Sequence, residues 1–225
     1  CITANAQKTL SVSVTNPTKT ERKSTPVVLK LKDYGFEVKS AIVKNSEGIE
    51  IPSQLDDLNG DKIFDELCFI TDMSKKEKQN FTVELKDNGK PRKYESQVYV
   101  EMLLSNKKIK STNKQDLYIS SLTVDNGTNP YNMLHHHGPA FENDMVAYRI
   151  YFDHRQTVDI YGKYRKGLEI KQTQFYPDSN QKATGFGDDV LWVGQTLGLG
   201  ALRGWDGQKP QMLQDVDYRT LRIIS

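Results

Sequence analysis

The sequence contains few cysteines and few hydrophobic residues, and each shortage excludes a class of protein. Only Cys1 and Cys68 occur among 225 residues, and they form no metal-binding motif. Hydrophobic residues make up 36% of the chain, and no apolar run approaches the roughly 20 residues of a membrane-spanning helix. We therefore expect no transmembrane segment, and we interpret Cys68, in the strand-like run 66–70, as a buried thiol.

Clustered charge and the familiar nucleotide-binding motifs are also missing. The 31 basic and 29 acidic residues are interspersed and leave a formal net charge of +2. Nucleic-acid binding requires a clustered basic face, so we expect no nucleic-acid partner. The sequence has no GxSxG, P-loop or GxGxxG motif, which leaves no known nucleophile elbow or nucleotide site to consider.

Short alternating runs separated by Gly, Asn and Pro predict an all-β chain with no amphipathic helix. Residues 8–92 have the strand spacing of an immunoglobulin-like β-sandwich, and residues 87–92 are the best linker candidate. Residues 93–225 continue as strands, including one predicted over 167–176. We expect them to form part of a larger β-sandwich that is truncated at its C-terminus.

Both ends of the chain suggest an exported protein that continues beyond this sequence. Residues 1–7 resemble the remnant of a signal peptide, with Ala4-Asn5-Ala6 as a small-x-small cleavage site before Gln7. This predicts a periplasmic or cell-surface location. An alternative interpretation makes Cys1 a lipidated first residue. The strand-like C-terminal run, 218–225, stops without a turn, so we expect a longer protein.

The stretch 134–163 holds the densest set of chemically useful side chains. It contains three of the four histidines, and His135 and His137 point the same way if the run is extended. A Gly-Pro turn then leads to Glu142 and Asp144, which we expect near the histidines. These four residues are the catalytic candidates, as a general acid and base, as paired carboxylates of a glycosidase or as metal ligands. The alternative is an ordinary loop.

The next residues predict a β-hairpin with one apolar face and one polar face. A polar surface that also carries aromatic rings suits a sugar ligand. Two tryptophans in glycine-rich segments could stack on sugar rings or plug the end of a sandwich. The substrate-binding candidates are therefore Arg149, Tyr151, Asp153, Tyr161, Lys163, Trp192 and Trp205.

An acidic turn in the first half has the oxygen-ligand spacing of a calcium site. Asp57, Asn59, Asp61 and Asp65 are the candidate Ca²⁺ ligands. The full EF-hand pattern is absent, because the glycine precedes Asp61 instead of following it. The alternative is an Asx-type turn between two strands, held by side-chain bonds to the backbone.

Several of these blocks resemble the DUF4861 family of exported Bacteroidota proteins associated with polysaccharide degradation. The resemblance covers nearly all of residues 8–225 and is carried by residues 52–61, 65–67, 136–142, 147–153 and 158–163. It departs at Lys62 and Ile63, where the acidic turn would carry another glycine. The resemblance implies export, a β-rich fold and glycan breakdown, and the analogy of such folds to β-supersandwiches concerns the fold alone.

The residues and the resemblance together predict an exported carbohydrate-active protein acting on an oligosaccharide or polysaccharide. The leading hypothesis is a glycoside hydrolase or lyase, in which a histidine is the acid or base and Arg149 and Lys163 bind the sugar. One alternative is a non-catalytic glycan-binding protein. Another is a structural surface protein in which the acidic turn and the hairpin only hold the fold.

Overall fold

A computed structural model describes residues 5–105, 117–194, 196, 198–212 and 216–224 of the chain. The chain divides into two compact units, the first reaching Glu95 and the second comprising Ser96–Ile223. Cys1, the candidate lipidation site, lies outside the described residues. The predicted all-β, sandwich-like fold is confirmed, since antiparallel sheets dominate both units and the helices are short.

The described part of the first unit contains seven strands and a short 3₁₀ turn at Lys32–Tyr34. In chain order the strands β1 to β7 are Gln7–Thr15, Arg22–Lys30, Ser40–Lys44, Glu50–Ile51, Ser53–Asp56, Glu66–Met73 and Lys78–Lys86. They form two antiparallel sheets, ordered β1-β7-β3-β4 and β2-β6-β5. The chain changes sheet at Pro52, which has no amide hydrogen for a ladder bond.

Alternating side chains of the two sheets share one hydrophobic core. Val43 and Val83 come from one sheet and Leu67 from the other, and all three are fully buried. Phe69 and Phe81 meet across the sheets, with ring centroids 4.9 Å apart. Each such ring contributes about 1.5–3 kcal/mol by leaving water. The two-residue period of the sequence therefore produces the sandwich directly.

The second unit holds eleven described strands and two one-turn α-helices. Strands β8 to β13 are Val98–Glu101, Leu103–Leu104, Leu117–Tyr118, Ser121–Asp125, Ala140–Asn143 and Val146–Ile150. Strands β14 to β18 are Val158–Gly162, Asp188–Asp189, Arg203–Trp205, Pro210–Met212 and Tyr218–Arg222. The helices are α1, Ile170–Thr173, and α2, Ser179–Ala183. Short 3₁₀ turns span Pro130–Asn132 and His135–His137.

A five-stranded antiparallel sheet, ordered β15-β14-β13-β12-β8, organises this unit. The predicted hairpin lies at its centre. Strands β13 and β14 pair along their whole length, from Val146 opposite Gly162 to Ile150 opposite Val158. Smaller two-stranded sheets pair β9 with β10, β11 with β18 and β16 with β17. The five-stranded sheet carries the candidate site.

The strand predicted over 167–176 is wrong, because helix α1 occupies its centre. Both oxygens of the Glu142 carboxylate accept hydrogen bonds from the backbone amides of Glu169 and Ile170, at 2.8–2.9 Å. A negative charge at the first amides stabilises a helical turn. The helix ends at Thr173, and the next residue, Gln174, has a left-handed φ of 49°. A long-range contact therefore overrides the local strand pattern.

Candidate active site

One face of the five-stranded sheet presents two rows of aligned side chains. Backbone pairing places Glu101, Ala140, Arg149 and Asp159 in one row across four strands. The next row is Tyr99, Glu142, Ala147, Tyr161 and Asp189. Residues directly opposite each other on paired strands share a face, so charged groups and rings converge here.

This polar face is the buried face of the hairpin. Arg149 is 3% exposed and Tyr161 is fully buried, whereas Val146, Tyr148 and Ile160 on the opposite face are only half-buried. The expectation of an open polar surface is therefore wrong. Such groups can be buried only because they bond to one another, since an unpaired charge is costly away from water.

Arg149 is the centre of the buried cluster. Its Nε donates to Asp159 Oδ2 at 2.8 Å, its Nη2 donates to the Tyr151 hydroxyl at 3.0 Å, and its Nη1 donates to the Tyr176 hydroxyl. The guanidinium carbon lies 4.7 Å from the Phe175 ring centroid. Burial opposes the charge, but the bonds to Tyr176 and Asp159 outweigh it and raise the pKa of Arg149.

The groups around Arg149 differ in their access to solvent. Tyr176 is 58% exposed, so its hydroxyl joins the buried guanidinium to the surface. Burial raises the pKa of Tyr151 to about 12, although the Arg149 charge opposes the shift. Burial also raises the pKa of Asp189, which lies 3.4 Å from Arg149 Nη2 and keeps part of its carboxylate exposed. The cluster therefore holds a neutral phenol, Tyr151, and a weakened acid, Asp189, close to the solvent-exposed Tyr176.

The histidine run beside this cluster is a tight turn, so it is not extended. His136 and His137 both have left-handed φ angles, 59° and 63°. The turn docks on the end of β13, where the Phe152 amide donates to the His137 carbonyl at 2.8 Å. A Cβ at Gly138 would lie 1.7 Å from the Ile150 carbonyl oxygen, so only glycine permits this approach.

His137 belongs to an aromatic stack on the same side of the site. Its ring lies 3.7 Å from the Tyr131 ring and 5.7 Å from the Tyr151 ring, nearly parallel to both. His137 Nδ1 donates to the Tyr131 carbonyl at 2.8 Å, which leaves Nε2 as the acceptor. The Arg155 guanidinium lies 4.5 Å from the Tyr151 ring and is held by Asp153. An imidazole in this tautomer can accept a proton.

His136 and Glu101 form a second, deeper pair. His136 Nε2 lies 3.1 Å from Glu101 Oε1, and the two side chains are 1% and 2% exposed. The Tyr99 hydroxyl donates to Glu101 Oε2 at 2.6 Å. Burial and the neighbouring Glu101 carboxylate raise the pKa of Tyr99. The His136 ring lies 6.5 Å from the Tyr176 ring, so this pair adjoins the arginine cluster.

The predicted contact between the histidines and Glu142 or Asp144 is not formed. Glu142 is bonded to the Lys163 ammonium and to the start of α1, and both charged groups are fully buried. Lys163 also donates to the Asn143 carbonyl at 2.6 Å. Asp144 is half-exposed and lies 3.9 Å from a lysine ammonium. The Glu142–Lys163 pair therefore holds helix α1 against the sheet.

The other predicted binding residues lie in three different surroundings. Tyr161 is in the core, and its hydroxyl donates to Glu169 Oε2 at 2.9 Å. Asp153 is buried and orients Arg155. Trp192 and Trp205 are 95% and 66% exposed, so neither plugs the end of a sandwich. Their rings are accessible to a ligand.

The acidic turn in the first unit has the hydrogen bonds of Asx turns. Asp57 accepts the amides of Gly60 and Lys62, and Asn59 accepts the amide of Asp61. Asp61 and Asp65 likewise accept backbone amides, at 2.8 and 2.7 Å. These bonds explain the residue pattern as turn geometry. Calcium binding at this turn stays a prediction.

Sequence reasoning missed several residues of the site. Glu101 is a lone acid in the otherwise apolar run 98–104, and that isolation was the available signal. Its partner His136 lies 35 residues away in the chain. Tyr131, Tyr176 and Asp189 carry no comparable local signal, because only tertiary contacts bring them to Arg149 and His137.

The comparisons with known proteins identify one family. The family model described as a domain of unknown function, DUF4861, matches residues 14–225. No curated protein and no solved structure matches the chain. Among the described residues, no helix has the length and apolar character needed to cross a membrane.

Proposed function

The chain belongs to the DUF4861 family, and we propose that it is an exported enzyme that cleaves acidic oligosaccharides during polysaccharide breakdown. The resemblance to exported Bacteroidota proteins supports a periplasmic or cell-surface location. The family description assigns no activity, so support for the chemistry comes from the side chains of the site.

One observation carries the proposal: an exposed phenol and a proton-accepting imidazole flank a buried arginine. Tyr176 is bonded to Arg149, and His137 stacks on Tyr151, which is bonded to the same guanidinium. Tyrosine and histidine are both used as general acids and bases. Arg149 holds the phenols in position, and the more exposed Arg155 supplies positive charge for a sugar carboxylate.

These groups favour elimination over hydrolysis. Elimination from a uronic acid requires a base for the proton beside the carboxylate, a positive charge near that carboxylate and an acid for the leaving oxygen. His137, Arg155 and Tyr176 supply those three roles. Hydrolysis requires two available carboxylates, and Asp159 is already bound to Arg149 through two nitrogens. The lyase is therefore the leading form of the proposal.

The test is turnover of uronate-containing oligosaccharides, followed by the ultraviolet absorbance of the unsaturated product. Tyr176→Phe keeps the ring and removes only the hydroxyl, so we expect kcat to fall about 100-fold with little change in folding. Tyr164→Phe is the matched control, because Tyr164 is an exposed tyrosine outside the cluster. Unchanged turnover in Tyr176→Phe, or no turnover of any acidic glycan, would overturn the proposal.

A second candidate is a non-catalytic glycan-binding protein, favoured by the exposure of two tryptophans. Trp192 and Trp205 present accessible rings on which sugars can stack. Saturable glycan binding without product would support this function. Trp192→Ala should then weaken binding, whereas Tyr176→Phe should leave the affinity unchanged.

A further inference from the structure

We propose that Glu101, His135 and His136 bind a first-row divalent metal ion of the zinc type. Each residue offers one ligand atom, and the three atoms lie within 4.8 Å of one another. Within the described part of the chain, this is the one such group of histidine, cysteine or acidic side chains. The inference concerns ion binding alone and does not depend on the proposed function.

The buried pair is electrostatically incomplete without a cation. Glu101 bonds to Tyr99, which is neutral, and to His136. If His136 is neutral, the buried carboxylate has no opposite charge among these partners. If His136 is protonated, its Nδ1–H is buried, and that atom has no hydrogen-bond partner among the described residues. Each protonation state leaves one uncompensated group, which is costly in the interior.

A divalent ion supplies the positive charge that the buried carboxylate lacks. It neutralises the Glu101 charge, and it requires His136 to be neutral, because a ligating imidazole must present a lone pair. The ion would lie between His136 Nε2 and the Glu101 carboxylate, which are 3.1 Å apart. The buried side chains already point to one place.

The local backbone brings the second imidazole to that place. Neighbouring side chains of a strand point in opposite directions, but the left-handed φ of 59° at His136 turns its ring toward His135. The two ring centroids are 3.9 Å apart. The Gly138 contact with β13 then fixes this turn against the sheet that carries Glu101.

The distances between the ligand atoms fit metal ligation if these atoms approach one another slightly. An ion about 2.1 Å from each of two atoms separated by 3.1 Å subtends about 95° between them, within the range of tetrahedral and octahedral sites. Two ligands of one such ion can be at most about 4.2 Å apart, so any pair near the 4.8 Å limit must approach by several tenths of an ångström. Rotation of a side chain supplies that movement.

The donor set selects the class of ion. Two imidazoles and one carboxylate suit Zn²⁺, Fe²⁺, Co²⁺ or Ni²⁺, whereas Ca²⁺ and Mg²⁺ prefer all-oxygen sites. Three protein ligands also leave a coordination position for water. This site is separate in residues and in chemistry from the calcium site predicted at the acidic turn.

The experiment measures binding by the full chain after removal of metal with a chelator. Calorimetric titration with Zn²⁺ should give one saturable ion per chain, and Co²⁺ should give a visible absorption band of a nitrogen–oxygen site. Glu101→Gln and His135→Ala should each weaken Zn²⁺ binding at least about 10-fold. His154→Ala is the matched control, because His154 is exposed and lies outside the group. It should bind as the wild type does.

Folding of each variant is checked by circular dichroism before titration. Zn²⁺ should raise the melting temperature of the wild type and of His154→Ala, but not that of Glu101→Gln, because an ion stabilises only the state that binds it. Absence of saturable binding by the wild type overturns the inference. Equal affinity in Glu101→Gln, His135→Ala and the wild type also overturns it, because the ion then lies elsewhere.

Discussion

Replacement of Arg149 by methionine tests whether the arginine cluster holds the second unit together. The change keeps a long apolar side chain but removes the guanidinium and its bonds to Asp159, Tyr151 and Tyr176. Asp159 then stays buried without its cation. Breaking a buried ion pair in this way costs about 3–5 kcal/mol, a large part of the 5–15 kcal/mol that typically stabilises a domain.

The assay is urea denaturation followed by circular dichroism. The free energy of unfolding should fall by about 3–5 kcal/mol in Arg149→Met, and if the two units unfold in separate steps the loss belongs to the second. Lys23→Met is the control, since Lys23 forms an exposed pair with Glu21 and the change should leave the free energy of unfolding nearly unchanged.

A double variant separates the effect of the ion pair on stability from the effect of side-chain size. Arg149→Met with Asp159→Leu removes both charges and should recover most of the loss, because an apolar pair can replace a buried ion pair. Two outcomes would refute the reasoning. One is a loss below about 1 kcal/mol in Arg149→Met, and the other is a double variant less stable than both single ones.

Two further predictions concern the surroundings of the site. Gly138→Ala should lower the melting temperature strongly, because its Cβ would lie 1.7 Å from a carbonyl oxygen, whereas Gly127→Ala, with its nearest contact at 3.8 Å, should not. Equal melting temperatures of the two variants would contradict this prediction. Burial opposes the charge of Asp153, but the bonds from Arg155 outweigh it and lower the pKa of Asp153. This carboxylate therefore stabilises the fold above about pH 4, and it does so less as pH falls further. The stability difference between wild type and Asp153→Asn should therefore shrink in acid, and a constant difference would exclude the mechanism.

The strands and the hairpin were predictable because their signal is local. Alternation of apolar and polar residues marks both sheets of the first unit and also β13 and β14. The helical turn α1 was not predictable, because the carboxylate of Glu142, on another strand, satisfies its first amides. Local propensity carries no information about such a distant partner.

The candidate site was predictable only in part. The histidine run, Arg149 and Tyr151 stand out as residue types, and all of them lie at the site. The partners of those residues did not stand out. Glu142 is of a residue type that often serves as a catalytic acid, yet it is bonded to Lys163 and to helix α1. It is Glu101, in an apolar strand, that contacts His136. Pairing of carboxylates with histidines depends on strand register, which the sequence does not display.

The sequence by itself determined the all-β class, the hairpin and the family, because each depends on periodicity or on a local motif. Only the tertiary structure decided which face of the hairpin is buried. Alternation defines two faces without saying which one is covered, and here the polar face is covered because Asp159, Tyr151 and Tyr176 satisfy Arg149. The same convergence of distant parts of the chain placed Glu101 against His136, because a buried charge is stable only beside groups that bond to it.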